Sequence, residues 1–464
     1  MSNPSSQPTV AIAGGGLAGL AAGCALADSG YRVTLFERRP FLGGRASSYE
    51  HPGTGEVVDN CQHVLFRVCT NLVEFYRRIG VEDKIRWYDT MHFIEPGGRT
   101  SVMYASPLPA PLHTAPSFLR FPFLTAHDKL AISRAIAALT LTSQSDTGRS
   151  FLDWCRQHRQ TPNAIERFWK PILVSALSED LDLISISYAA QVVRESMKSP
   201  GARYMGVPNV PLTDLYNKAG EYIRVRGGEI RLRNSLETFS PDPSRVRIRV
   251  AGREENYDYL ILALPFDVLN DVLPNSPDAA PLRDQLNHFE TSPITGIHLW
   301  FDRQVSDLDH AVLLDRTIQW MFHKSRLLTG ARAGGGSYIE LVVSASKSLV
   351  EKSRSEIVDL ALQEVREFFP AAREATLVKS AVIKEVHATY SPGPGIDAYR
   401  PPQSTVWPRV FLAGDFTATG WPATMEGAVR SGYLAAEALT RAAGKNAHFL
   451  APDLAPSGLM RWFG

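Results

Sequence analysis

Residues 8–45 change their hydrophobic period twice within a short span. A continuous apolar run from Pro8 to Ala13 gives way to three glycines, then to an apolar helical stretch from Leu17 to Ser29, then to a second apolar run from Arg32 to Glu37. Short unbroken apolar runs mark strands buried on both faces. The opening therefore reads as strand, turn, helix, strand, a βαβ unit. Further along, Leu72, Val73, Phe75, Tyr76 and Ile79 fall at helical spacing between Asn71 and Lys84, with Gly80 as a stop. Asp128 to Leu141 also looks helical, and Ala219 to Leu232 reads as helix then strand. Two more buried-strand runs follow, one within Tyr257 to Pro265 and one at Val410 to Ala413, the latter leading into a helix from about Ala423 to Ala442.

Strand runs at both ends and in the middle, with 464 residues to place, exceed what one core of roughly 250–300 residues holds. The fold class expected is α/β, with a discontinuous Rossmann-like dinucleotide domain (8–75, 210–275 and 385–445). An α+β substrate domain (76–209 and 276–384) is inserted into it, and 446–464 form a tail.

Composition narrows the classes. Lys plus Arg number 49 against 48 Asp plus Glu, so no basic field draws the chain to nucleic acid. Cys24, Cys61, Cys69 and Cys155 make no Cys-x-x-Cys pair, and neither a metal site nor a redox dithiol is expected; free thiols suit a reducing, cytoplasmic compartment. Thr9 to Ala27 is apolar enough to mimic a signal peptide, but no Lys or Arg precedes it and glycines interrupt it.

The chemistry concentrates in five places. Gly14-x-Gly16-x-x-Gly19 ends a strand and opens a helix at Leu17 and Ala18, so backbone N–H groups and the positive helix end face a pyrophosphate. Glu37, at the end of the second strand, is placed to bond both ribose hydroxyls, with Arg38 beside it. Gly43-Gly44-Arg45 offers close backbone approach and a guanidinium for phosphate. Gly414-Asp415 follows a buried strand, and the helix opened by Met425 and Glu426 points its free N–H groups at a reduced flavin ring, with Glu426 capping or touching that ring. In the polar run Asp59 to His63, Gln62 and His63 are the candidate catalytic or substrate-orienting residues, against the plainer reading that His63 only holds a loop.

Together these residues resemble the FAD-binding flavoproteins that include amine oxidases and phytoene desaturases, from about Val10 to Ala442. Three segments, Val58 to His63, Phe168-Trp169-Lys170-Pro171 and Thr419 to Gly432, are most similar to the hydroxysqualene dehydroxylases of hopanoid biosynthesis. That resemblance implies non-covalent FAD, a C30 isoprenoid substrate (hydroxysqualene) and reductive loss of its hydroxyl to give squalene. Rival expectations are an oxidative carotenoid desaturase, an amine oxidase, and a non-catalytic FAD-bound scaffold of a membrane complex. The aromatic-rich insert suits a long dry tunnel, or simply a second core. A lipid substrate implies peripheral contact with the inner face of the cytoplasmic membrane. The segments expected to make it are Pro116 to Leu124 and the tail residues Leu459, Met460, Arg461, Trp462 and Phe463. No second glycine fingerprint identifies the electron donor.

Overall fold

The computed structural model describes residues 7–142, 144–146, 148–329 and 336–462. Strand Thr9–Ala13, helix Leu17–Asp28 and strand Arg32–Glu37 form the βαβ opening. They begin a five-stranded parallel sheet ordered Glu229–Leu232, Arg32–Glu37, Thr9–Ala13, Tyr259–Leu262, Val410–Leu412. Its strands come from all three stretches of the expected dinucleotide domain. The Leu17–Asp28 helix is buried almost all round because the sheet covers one side and helix Met425–Ala442 the other. A Cβ at Gly432 would collide with the Ala18 carbonyl oxygen, so this glycine lets the two helices touch backbone to backbone.

The second domain contains a seven-stranded, mostly antiparallel sheet built from Thr90–Ile94, Thr100–Tyr104 and five strands between Thr291 and Tyr390. One face, with Ile297, Leu299, Met321 and Leu341, packs on Ile357, Ala361 and Val365 of helix Arg354–Phe368. The opposite face carries His298 directly across from Glu340 and looks toward the loop after Asp59: an added Cβ on Gly296 would lie 3.4 Å from the Asn60 carbonyl oxygen. Strand Leu377–Tyr390 runs across position 385, and helix Thr70–Arg78 across position 75.

A helical lobe completes this domain, with helices Ala126–Leu141, Phe151–Gln157, Lys170–Leu177 and Ile186–Met197. Here the expectation of a membrane-facing Pro116 to Leu124 segment needs correction. Phe118, Phe121, Phe123 and Leu124 are buried, and the Phe121 and Phe123 rings stack with centroids 4.7 Å apart. Phe168 and Trp169 join the same core, where Trp169 Nε1 donates to Gln160 Oε1 at 2.8 Å. Large aromatics stabilise most when buried, and prolines that break the helical period hid this core segment from a periodicity reading. Of that segment Leu119 stays exposed. In the tail, Met460 is buried while Leu459 and Trp462 are exposed; Phe463 lies outside the described residues. No helix among the described residues is long and apolar enough to cross a membrane.

Candidate active site

The glycines of the first turn have different reasons to be glycine. At Gly14, φ is +111° and a Cβ would strike the Ala263 carbonyl oxygen; at Gly19 it would strike the Gly14 carbonyl oxygen. Both are demanded by the protein's own packing. Gly16 is different: φ is −76°, and the nearest atom to an added Cβ is Gly44 Cα at 3.9 Å. Nothing among the described residues requires glycine there, whereas close approach by a ligand would. The helix that Gly16 caps has no side-chain cap and no acid in its first turn, so its leading N–H groups and positive end are left for an anion. Helices Ala126–Leu141 and Arg354–Phe368, by contrast, begin with full capping boxes at Thr125 and Ser353.

Glu37 is buried beside this turn, accepting from the Gly15 N–H through Oε2 and the Arg39 N–H through Oε1, both at 2.7 Å. Each carboxylate oxygen keeps a further lone pair for a ribose hydroxyl. Arg38 is exposed; it is Arg39 whose Nη1 donates to the Gly44 carbonyl at 2.8 Å and ties the acid to the next loop. The sequence offers two adjacent arginines and no basis for choosing between them.

Arg45 has a different partner from the phosphate expected. Its guanidinium donates at 2.8 Å to Asp415 Oδ1 and to the Ala388 carbonyl, joining two motifs 370 residues apart. Burial works against its charge, yet the Asp415 carboxylate, with Glu385 and Asp267 around it, holds the Arg45 pKa above the usual arginine value. Asp415 is itself buried and needs that cation. The Gly414 N–H donates to Ser431 Oγ at 2.8 Å, and a Cβ on Gly414 would sit 2.5 Å from the Phe416 ring. Arg400, which no sequence pattern marks, is buried and clamps this turn through the carbonyls of Asp415 (3.0 Å) and Thr417 (2.6 Å).

Glu426 is the clearest correction. Its carboxylate is fully buried and engaged by protein donors: Oε1 accepts from the Asn71 side chain at 3.0 Å and Arg430 Nε at 2.8 Å, and Oε2 from the Leu72 N–H at 2.7 Å. Glu426 does cap a helix, but the helix is Thr70–Arg78 rather than its own. The cap of Met425–Ala442 is Thr424, whose hydroxyl accepts from the Gly427 N–H at 3.1 Å. Met425 is half-buried, with Sδ accepting from Tyr216 OH at 3.7 Å.

The Asp59–His63 loop crosses from the cofactor side to the sheet of the second domain. Asn60 Nδ2 donates to the Arg45 carbonyl at 3.0 Å and to Glu385 Oε2 at 2.9 Å. Gln62 points away from open space: its Oε1 accepts from Lys324 Nζ at 2.7 Å and its Nε2 donates to the His63 carbonyl at 3.1 Å. Gln62 therefore positions the loop. His63 is partly buried, with Nδ1 2.7 Å from the Cys61 carbonyl oxygen, which fixes Nδ1 as the N–H and leaves Nε2 as an acceptor. Burial lowers the His63 pKa, so the ring is neutral at neutral pH and carries no spare proton of its own. Cys61 beside it is buried and its thiol is pushed up, mainly by burial, which makes it inert.

Beneath the loop lies a charge cluster that the sequence reading did not single out. Lys324 Nζ donates to Asp59 Oδ2 at 2.6 Å and lies 3.4 Å from Glu340 Oε2; Lys324, Asp59 and Glu340 are 2%, 4% and 0% exposed. A trace is visible in the sequence: Glu340 is the one charged residue in the strand Ser337–Ser344, flanked by Ile339 and Leu341.

Residues 17–440 match the family model for flavin containing amine oxidoreductase. The chain belongs to that family. Its cofactor is FAD, and the protein is a flavin-dependent oxidoreductase, which the open Gly16, the uncapped helix and Glu37 all accommodate. Within this family it is similar to a 15-cis-phytoene desaturase of Synechococcus elongatus, 28% identical over 452 residues that cover 93% of this chain and 95% of the relative. A probable zeta-carotene desaturase of the same organism is 26% identical, covering 93% of this chain and 98% of its own. Among solved structures, an oxidoreductase from Methanosarcina mazei shares the fold with a TM-score of 0.70 at 17% identity, covering 92% of this chain and 99% of that one. A putrescine oxidase bound to putrescine gives 0.69 at 16% identity, covering 94% and 98%.

Proposed function

We propose that this flavoprotein acts on a long isoprenoid and removes the hydroxyl of hydroxysqualene reductively to give squalene. The observation that carries the reading is the likeness of three segments, 58–63, 168–171 and 419–432, to the hydroxysqualene dehydroxylases; the first and last border the cofactor elements described above. Near full-length similarity to phytoene and zeta-carotene desaturases supports the isoprenoid substrate class.

FAD, when bound and reduced, supplies hydride. The chain has three tasks: to hold the allylic carbon within roughly 3–3.5 Å of the hydride source, to exclude water, and to bring a proton to the departing hydroxyl. Loss of water from the protonated alcohol leaves an allylic cation, and hydride closes the balance to squalene plus water. His63 Nε2 is an acceptor able to relay that proton once it is supplied, and Gln62 holds the loop.

A second reading, oxidative desaturation, is favoured by the names of the relatives and by the neutral His63, which suits a base taking a proton as hydride leaves. Anaerobic, pre-reduced protein incubated with hydroxysqualene separates the two. Squalene with flavin reoxidation is the expected result. Untouched hydroxysqualene, with new double bonds appearing in phytoene or squalene under oxidised protein, replaces the first reading by the second. His63→Ala should slow the productive step without loss of FAD.

The substrate dissolves in lipid, and an interfacial attachment on the inner face of the cytoplasmic membrane fits this reading. The Leu459 N–H donates to the Ala110 carbonyl at 2.8 Å, gathering exposed Leu108, Leu112, Leu459 and Trp462 beside Arg461.

A further inference from the structure

The cluster under the Asp59–His63 loop has an unusual inventory. Lys324 has three N–H donors; Asp59 Oδ2 and Gln62 Oε1 take two, and the third faces Glu340 Oε2 at 3.4 Å. Neither Glu340 oxygen makes a well-formed hydrogen bond, although both are buried. His298 faces it across the adjacent strand with Nε2 unpartnered, Tyr338 lies two positions along its own strand, Phe322 is its apolar neighbour on the other side, and Cys61 and Gln62 cover it from the loop. With a proton on Glu340, Lys324 and Asp59 cancel and the cluster is neutral. Without it, the site holds a net negative charge that burial penalises.

We propose that Glu340 is the proton store of this active site, taking up a proton when the flavin is reduced and releasing it on reoxidation, with Lys324 as the counter-ion that links it through Gln62 to the His63 loop. Both reaction directions discussed above move one proton alongside the hydride, so the inference does not depend on which substrate reading holds. It also supplies what neutral His63 lacks.

The direction follows from the groups present. Burial pushes the Glu340 carboxyl up to about 7, against the opposing pull of Lys324. Negative charge on a reduced flavin bound by this chain would raise it further, so above pH about 7 Glu340 is ionised while the flavin is oxidised and would bind a proton on reduction. One extra proton per two-electron couple steepens the FAD potential by roughly 30 mV per pH unit in that window.

The test uses the FAD-loaded protein. The FAD midpoint potential is measured from pH about 6 to about 9 in wild type and Glu340→Gln, and redox-difference infrared spectra are recorded with and without 13C-glutamate labelling. The expected result is a wild-type slope steeper above pH about 7 that Glu340→Gln loses, together with a glutamate-labelled carboxylic acid band that grows on reduction and persists in His63→Ala. Absence of any 13C-glutamate-sensitive carboxylic acid change in wild type overturns the proposal even if the variant fails to fold. An unchanged potential-versus-pH profile in folded Glu340→Gln overturns it as well.

Discussion

Replacing Glu426 by Ala separates a structural acid from a cofactor ligand. The carboxylate anchors the first turn of helix Thr70–Arg78 through the Leu72 N–H and the Asn71 side chain, and it neutralises Arg430, whose side chain is 10% exposed. Removing one partner of a buried ion pair costs about 3–5 kcal/mol, and the residual contact of Arg430 with half-exposed Asp453 favours the lower end. For 464 residues, about 2.1 cal/mol/K per residue gives an unfolding entropy near 1 kcal/mol/K, so the thermal midpoint should fall by about 3–5 °C. The assay is differential scanning fluorimetry on FAD-stripped protein, because bound cofactor would add its own stabilisation. Glu426→Gln, which retains an acceptor but not the charge, should lie between. A Glu426→Ala protein that melts within about 1 °C of wild type yet fails to rebind FAD would refute the reasoning and return Glu426 to the cofactor.

Acid should destabilise the protein above the ordinary carboxylate range, because three buried histidines outweigh Glu340, whose raised carboxyl works the other way between about pH 4.5 and 7. Burial pushes His113, His310 and His323 down to about 4 from an ordinary 6.5, so the unfolded chain binds more protons between those values. Stability is full above about pH 6.5 and is lost as pH falls toward about 4, by up to about 1.4 kcal/mol per pH unit for each group; a thermal midpoint flat across that range would contradict this. Gly432→Val should collapse the contact between the Leu17–Asp28 and Met425–Ala442 helices and yield little soluble protein, which expression and gel filtration check. In liposome flotation, Trp462→Glu combined with Leu112→Glu should reduce recovery in the floating fraction; unchanged flotation removes this patch from the account.

What could be read from the chain alone was mostly what short segments decide for themselves. The glycine turn, its flanking strands and Glu37 are set within residues 9–37, where pattern and packing agree. Arg45 and Glu426 stand out in the sequence, but the side chains they meet in the fold lie 370 and 355 positions away along the chain, where no local pattern points. Lys324 and Asp59 meet across 265 positions, and neither has a local motif to announce the other. The Pro- and Phe-rich segment Pro116 to Leu124 suits either contact with a lipid surface or a buried core, and composition alone does not choose; the fold buries Phe118, Phe121, Phe123 and Leu124. Glu340 was legible in principle as a carboxylate flanked by Ile339 and Leu341 within a strand, which only a counter-ion or a proton makes tolerable.

The central claim is that the turn at Gly14 to Gly19 holds the FAD pyrophosphate, and Gly16 tests it most directly. Its backbone suits any residue, and its Cβ position is clear of the protein by 3.9 Å, so Gly16→Val should leave the folded chain intact. The same side chain would occupy the space the pyrophosphate needs. FAD content per chain, read from flavin absorbance after purification, should fall close to zero in a protein whose cofactor-free thermal midpoint matches that of stripped wild type. Full FAD occupancy in folded Gly16→Val would contradict the account.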